Sequence, residues 1–230
     1  MKIGLFGGTF NPIHRCHLAI AQQVKDRLSL DRIIFIPTGD PPHKPSGSLA
    51  PARHRAEMVQ RAIEGRPGVT ISEVEIHRPA KSYSIDTVRT LRDEWGPEAE
   101  FFFITGLDAF LEFHTWREAA ALLRLCHFVV VPRPPFRFEA LSSMPVLPPF
   151  DPSVLMELDA RRQDRHDVAI PGGPGLTLLS LPPCEVSASE IRDRLRKGLP
   201  LANLLPASVE SYIIQHRLYQ EDIDLTRVKG

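Results

Sequence analysis

The side chains best suited to chemistry fall in four short stretches. In Ile3–His17 (IGLFGGTFNPIHRCH), His14 and His17 stand three residues apart, behind Gly7-Gly8-Thr9 and directly ahead of Leu18, Ala19, Ala21, Val24 and Leu28, which mostly recur at helical spacing. The order is short buried strand, glycine turn, two imidazoles, helix start. Exposed backbone N–H groups and the positive end of a helix attract anions, and imidazoles add donors or positive charge, so this stretch reads as a phosphate cradle. In Thr38–Pro45 (TGDPPHKP), prolines hold His43 and Lys44 on a stiff, extended loop, where the lysine acts as a mobile point charge. Ser84 is placed as the N-cap of a third element with Asp86 in its first turn, and a helix start of this kind can also offer N–H groups to a ligand carboxylate. Ser187-x-x-Glu190 fits a capping box, and Ser187, Ser189 and Arg192 put two hydroxyls and a guanidinium at one helix start, a second anion clamp.

Each stretch also has an ordinary structural reading. Gly-Gly after a strand is a common turn, paired histidines decorate surfaces, proline loops are solvated, and a capped helix needs no ligand. Zinc on His14, His17 and His43 is a further alternative, but no Cys or carboxylate stands beside them at a recognisable ligand spacing, so no metal ligand is assigned. The combination of strand, Gly-Gly, His-x-x-His and helix start is more specific than any of its parts.

These residues need a frame that brings them together. Asp31–Pro37 (DRIIFIP) reads as a second buried strand, so strand, helix and strand fit within ~35 residues, the βαβ unit of a parallel sheet. Ligands of such sheets collect beyond the carboxyl ends of the strands, where the Gly-Gly turn and the Lys44 loop both lie. Pro51–Glu64 is expected to be helical, and Val69–Ile76 alternates like a strand with one wet face. A helix after Ser84 carries Val88, Leu91 and Trp95. Phe101–Ile104 reads as a central strand with Thr105-Gly106-Leu107-Asp108 at its carboxyl end. Cys126–Val131 is a further strand, ended by Pro132-Arg133-Pro134-Pro135. Ser153–Arg165, Leu176–Leu181 and Pro206–Tyr219 complete the series as helix, strand and amphipathic helix. The predicted class is α/β: a Rossmann-like, doubly wound parallel sheet with a C-terminal helical part at 186–219. Residues 1–219 form one domain and 220–230 a frayed tail.

Composition narrows the function. The 230 residues suffice for a sizeable core, and Lys+Arg and Asp+Glu both total 28, so no global basic field marks a bulk nucleic-acid binder. No apolar run approaches the ~20 residues of a membrane span, and Met1-Lys2 leads directly into the first strand with no leader pattern. Cys16, Cys126 and Cys184 are odd in number and scattered, which suits free thiols in a reducing cytoplasm. Oligomeric state is left open.

The stretch GGTFNPIHRCH resembles the signature of HxGH nucleotidyltransferases, GGTFDPIHxGH in its usual form, whose histidines bind ATP phosphates. Asn11 replaces the commoner Asp, and Cys16 stands where that pattern has Gly, so a Cβ and a sulfur occupy a spot otherwise bare. PPHK, SYSIDT, Gly106-x-Asp108 with Trp116, Arg133-Pro134, VSASEIR and LLPASVESYIIQHRLY then resemble, in order, motifs of bacterial nicotinate-nucleotide adenylyltransferases. The resemblance implies the nucleotidyltransferase type of the fold, with 136–174 a variable insertion. It implies a cytoplasmic enzyme that transfers adenylyl from ATP to nicotinate mononucleotide, with Mg²⁺ carried on the ATP phosphates. Catalytic roles fall to His14, His17, Lys44 and Arg192. ATP contacts fall to Gly7, Gly8, Thr9, Phe10, Gly106, Asp108, Arg133, Ser187 and Ser189, and acceptor contacts to Ser84, Thr87 and Trp116. Nicotinamide mononucleotide or another phosphate as acceptor, and a nucleotide-binding regulator without catalysis, are the alternatives. Cys16 close to phosphates at a helix start is further expected to have a lowered pKa and to react with alkylators.

Overall fold

The computed structural model describes residues 1–39, 49–79, 81–144, 147–201 and 203–220. Among them, seven strands form one sheet: β1 (Lys2–Gly8), β2 (Arg32–Pro37), β3 (Val69–Ile71), β4 (Glu100–Gly106), β5 (His127–Val131), β6 (Arg165–Val168) and β7 (Leu176–Leu179), in the order β3-β2-β1-β4-β5-β7-β6. All neighbours are parallel except β6 and β7. The helices are α1 (Arg15–Arg27), α2 (Ala52–Ile63), α3 (Ser84–Trp95), α4 (Leu107–Leu111), α5 (Ala119–Leu125), α6 (Pro152–Asp159), α7 (Ala188–Arg196) and α8 (Ala207–Gln215), with 3-10 turns at Phe113–Thr115 and Phe138–Ser143.

Alternation along the strands divides the core in two. Ile3 and Leu5 of β1 face one way and pack with Phe101 and Phe103 of β4 against Ile85, Val88 and Leu91 of α3 and Phe110 of α4. Phe6, Ile33 and Phe35 face the other way and meet Leu18 and Val24 of α1, Met58 and Val59 of α2, Ile191 of α7 and Val209 of α8. Helices therefore cover both faces, and the parallel strands read as continuous apolar runs because neither face is wet. This is the doubly wound α/β sheet expected from the sequence.

The order of strands reverses between β1 and β4, so loops leaving those two neighbours diverge and open a crevice at their carboxyl ends, the place where such sheets take ligands. Gly7 and Gly8 end β1 opposite Ile36 and Pro37 of β2, and Gly106 ends β4 opposite Val131 of β5.

Several boundaries differ from the expected ones. α1 begins at Arg15 rather than His17, because His14 is its N-cap. β3 stops at Ile71, and α8 stops at Gln215, after which Arg217 and Tyr219 adopt positive φ values of 50 and 64°. The expected Ser153–Arg165 helix is α6 followed by the antiparallel edge strand β6, both within 136–174. Of the expected tail, 221–230 lies outside the described residues.

Candidate active site

The crevice is built around a turn held under tension by its own side chains. Gly8-Thr9-Phe10 reverses the chain after β1, and Phe10 takes a left-handed φ of 45°, an uncommon conformation for a bulky residue that costs roughly 1–3 kcal/mol. Its ring offsets that cost: it is 2 % exposed and packs on Phe6, Phe35 and His17 with centroids 5.9, 5.5 and 5.1 Å away. A Cβ at Gly8 would lie 2.9 Å from the Phe10 ring, so the turn needs glycine there, whereas a Cβ at Gly7 would meet nothing within 4 Å. Phe10 is thus a buttress for His17 and for the turn.

His14 and His17 stack, with ring centroids 3.7 Å apart and planes 32° apart. The His14 backbone N–H donates to His17 Nδ1 at 3.2 Å, which leaves the proton of a neutral His17 on Nε2, a donor. His14 is 3 % exposed, and among the described residues neither of its ring nitrogens has a partner. Buried polar atoms are rarely left so, and a pair of unpartnered imidazole nitrogens in a crevice is fit for a polar ligand. Burial, reinforced by the Arg133 guanidinium, pushes the His14 pKa down to about 4. His17 is driven well below its ordinary value by burial first, then by His14 and Arg133. Both rings are therefore neutral at physiological pH and offer donors rather than standing positive charge.

The helix start itself contributes less than its position suggests. The Arg15 N–H is taken by the Leu204 carbonyl at 3.1 Å and the His17 N–H by the His14 carbonyl at 3.0 Å. Anion binding at α1 falls mainly to the imidazoles.

The second clamp comes from α7, which packs on the same face of the sheet as α1. Ser187 caps α7, accepting from the Glu190 N–H at 3.1 Å, and its hydroxyl lies 3.0 Å from that of Ser189. The reciprocal half of the capping box does not form, because the Glu190 carboxylate pairs with Arg194. Arg192 Nη1 donates to the Asn11 carbonyl at 2.7 Å, which fastens α7 to the loop carrying the histidines. Asn11 Oδ1 in turn accepts from the Ala50 N–H and the Tyr219 hydroxyl at 3.0 and 2.9 Å. Asn at this position therefore works as a knot between four segments.

Beside the histidines opens a cavity of about 360 Å³, walled by the Pro132–Phe138 loop after β5, by Leu158 and Asp159 of α6, and by the 180–186 segment after β7. Its size is within the range of small-molecule sites. Arg133 on its rim pairs with Asp108 at 3.8 Å, and Asp108 is the second residue of α4, whose N-cap is Gly106.

A family model described as cytidylyltransferase-like matches residues 5–194. Three curated relatives described as "probable nicotinate-nucleotide adenylyltransferase" align along almost their whole length. Those of Pelobacter propionicus and Geotalea uraniireducens are 42 % and 44 % identical, each covering 96 % of this chain and 99 % of the relative. That of Moorella thermoacetica is 36 % identical, covering 100 % of this chain and 96 % of the relative. The chain belongs to the cytidylyltransferase-like family. A solved structure of Plasmodium falciparum nicotinic acid mononucleotide adenylyltransferase complexed with NaAD has the same fold. It is 20 % identical, with a TM-score of 0.68, over 95 % of this chain and 97 % of that one.

Several features of this cytidylyltransferase-like chain were not foreseen. Arg55, 1 % exposed, donates to the carbonyls of Ala50, Thr9 and Gly39 at 3.0, 2.8 and 2.9 Å, clipping the loop after β1 to the loop after β2. A signal existed: Arg55 lies on the apolar face of α2, three and four residues before Met58 and Val59. Thr87 is buried, and its hydroxyl donates to Glu75 at 2.7 Å and accepts from Arg78 at 3.2 Å, so its side chain is committed to the fold. Ser84 is the first residue of α3 rather than its cap, which is Tyr83. Trp116 packs edge-on to Phe103, 5.9 Å between centroids, and is partly exposed; beside it the Arg117 guanidinium lies 4.9 Å over the Tyr83 ring. Lys44 and His43 lie outside the described residues.

The cysteines are not the scattered free thiols expected. Cys16 and Cys184, 168 residues apart, form a disulfide with Cα atoms 5.6 Å apart, and Cys126 alone is free and buried. Sequence separation hid the pair: the loops after β1 and after β7 converge only because both leave the carboxyl end of the sheet. Cys16 accordingly has no thiol to alkylate while bridged.

Proposed function

We propose that the protein transfers the adenylyl group of ATP to nicotinate mononucleotide, giving nicotinate adenine dinucleotide and pyrophosphate, as a step of NAD biosynthesis in the cytoplasm, where ATP is held. The observation that carries the reading is His14, buried with two unpartnered ring nitrogens, stacked on His17 at the switch point of the sheet. The relatives' names support the choice of acceptor.

The nucleophile is a phosphate oxygen, already an anion at neutral pH, so attack on the α-phosphorus needs no general base. The task is alignment and neutralisation of charge as pyrophosphate leaves. His17 Nε2–H and the His14 ring are assigned to the α- and β-phosphates. A triphosphate beside two neutral imidazoles raises their proton affinity, so the pair can gain charge as the ligand arrives. Ser187, Ser189, Arg192 and Lys44 are assigned to the triphosphate and the leaving pyrophosphate. The Gly7–Phe10 backbone, Gly106, Asp108 and Arg133 border the nucleotide. Ser84 and Trp116 face the acceptor, and Thr87 holds the start of α3 through Glu75 and Arg78. Residues 1–219 act as the one catalytic unit.

The donors here suit Mg²⁺ that enters on ATP: among the described residues no group of three or more His, Cys, Asp or Glu could hold a metal ion. Bound to phosphate oxygens, Mg²⁺ supplies neutralisation of their charge. No helix among the described residues is long and apolar enough to cross a membrane.

A pyrophosphate-release assay with nicotinate and nicotinamide mononucleotides as alternative acceptors tests the reading. Release with the nicotinate form, and much less with the amide, is the expected outcome. Release with neither acceptor, in a protein that binds ATP, would refute it.

A further inference from the structure

Cys16 is the second residue of α1, between the two histidines, and is 4 % exposed; Cys184 is exposed and stands three residues before Ser187, the cap of α7. Both line the cavity beside the histidines. One covalent bond therefore ties the imidazole half of the cradle to the serine and arginine half. Resting on the adenylyl-transfer reading above, we propose that Cys16–Cys184 is a reversible thiol–disulfide modification site that sets the affinity of the cradle for ATP, with the bridged form the tight-binding one.

The chemistry follows from where the sulfurs lie. A thiolate of an incoming dithiol reaches the exposed Cys184 sulfur, forms a mixed disulfide with it and breaks the S–S bond. Cys16 departs as a thiolate. The second thiol of the dithiol then attacks the mixed disulfide and releases Cys184. The protein pair has gained two electrons and two protons, and the reagent has become a disulfide; an oxidised dithiol runs the sequence backwards. Cys184 is the sulfur attacked because it is exposed, whereas Cys16 is 4 % exposed. Cys126 does not enter the exchange: it is 1 % exposed and burial pushes its thiol up, away from the reactive thiolate.

Reduction leaves two protonated thiols and removes the covalent tie between the two halves of the site. Loss of the bond also frees the 182–187 segment, leaving Arg192 on the Asn11 carbonyl as a tie from α7 to the histidine loop. A disulfide in a protein of an ATP-rich, reducing compartment is usually transient and redox-sensing rather than structural, which agrees with an accessible pair at a substrate site.

The test uses the full-length protein, equilibrated either with dithiothreitol or with its oxidised form. Alkylation under denaturing conditions, read by mass, reports the thiols, and calorimetry measures the Kd for Mg-ATP. The bridged protein should show Cys126 as its one alkylated cysteine, the reduced protein all of them. The Kd should rise several-fold on reduction, because the serine and arginine half loses its tie to the histidines, and return on reoxidation. Cys184→Ser, which keeps the Cys16 thiol but cannot bridge, should bind weakly in both conditions. Cys16→Ala should likewise lose redox sensitivity and bind weakly in both conditions, because it too loses the tie. Equal or tighter ATP binding in the reduced wild-type protein would overturn the proposal, as would a full set of alkylated cysteines after oxidant treatment. ATP binding in neither condition would instead remove the adenylyl-transfer reading, and this proposal with it.

Discussion

The buried His14 makes a prediction about stability that can be worked through. Its pKa stands at about 4 in the folded protein, against 6.5 for a free imidazole. Below the free value the unfolded chain therefore binds more protons than the folded one. Stability from this group is fully present above about pH 6.5 and is lost as pH falls from there toward about pH 4. Linkage places the loss between about pH 7.5 and about pH 5 at about 2 kcal/mol, most of the ~3 kcal/mol that the full shift represents. His14→Gln keeps a polar side chain that does not titrate. The measurement is urea unfolding of both proteins at several pH values, taking the difference in unfolding free energy, so that every other titrating group cancels to first order. The difference should shift by about 2 kcal/mol against the wild type as pH falls over that range. Saturating Mg-ATP should shrink the shift, because a triphosphate favours the imidazolium. A difference that stays flat from neutral pH to about pH 5 would refute the claim that burial holds His14 neutral.

Three further outcomes are expected. His17→Ala should lower turnover by at least ~10²–10³-fold while leaving the melting temperature within a few degrees; near-normal turnover would remove His17 from the chemistry. Arg55→Met, which strands the carbonyls of Thr9, Gly39 and Ala50, should lower thermal stability by roughly 10 °C, and calorimetric melting at the wild-type temperature would show those bonds to be idle. Tyr219→Phe should destabilise by about 1 kcal/mol and raise the KM for ATP more than it changes kcat, since the Tyr219 hydroxyl only steadies Asn11; an unchanged KM would argue against the knot.

Much of this molecule was legible in its residues, and what was not has physical reasons. Apolar runs such as Ile33–Ile36 and Phe101–Ile104 announced strands buried on both faces, and periodicity announced the helices between them. β6 was missed because Arg165–Val168 is an exposed edge strand whose polar residues carry no apolar alternation. At the site, Arg192 reaches the Asn11 carbonyl of the loop that carries His14 and His17. What spacing cannot report is which atoms remain available. The Thr87 hydroxyl is spent on Glu75, and the Arg15 and His17 N–H groups are spent within the loop and turn around them. The Cys16–Cys184 bridge depended on a crossing of distant loops that no local pattern encodes.

The neutrality of the histidines also bears on why the remaining cations are arranged as they are. Two protonated imidazoles 3.7 Å apart in a dry crevice would repel one another, and the fold suppresses that by desolvation and by placing Arg133 nearby. Among the described residues, the cations proposed to face a triphosphate from the surrounding loops are guanidinium groups: Arg133, held at 3.8 Å by Asp108, and Arg192, held by the Asn11 carbonyl. A site so divided keeps its charge at the rim, where water solvates it before ATP arrives, and keeps uncharged donors in the interior, where a standing charge would destabilise the fold. Negative charge entering that interior then meets dipoles already oriented and imidazoles able to take up protons.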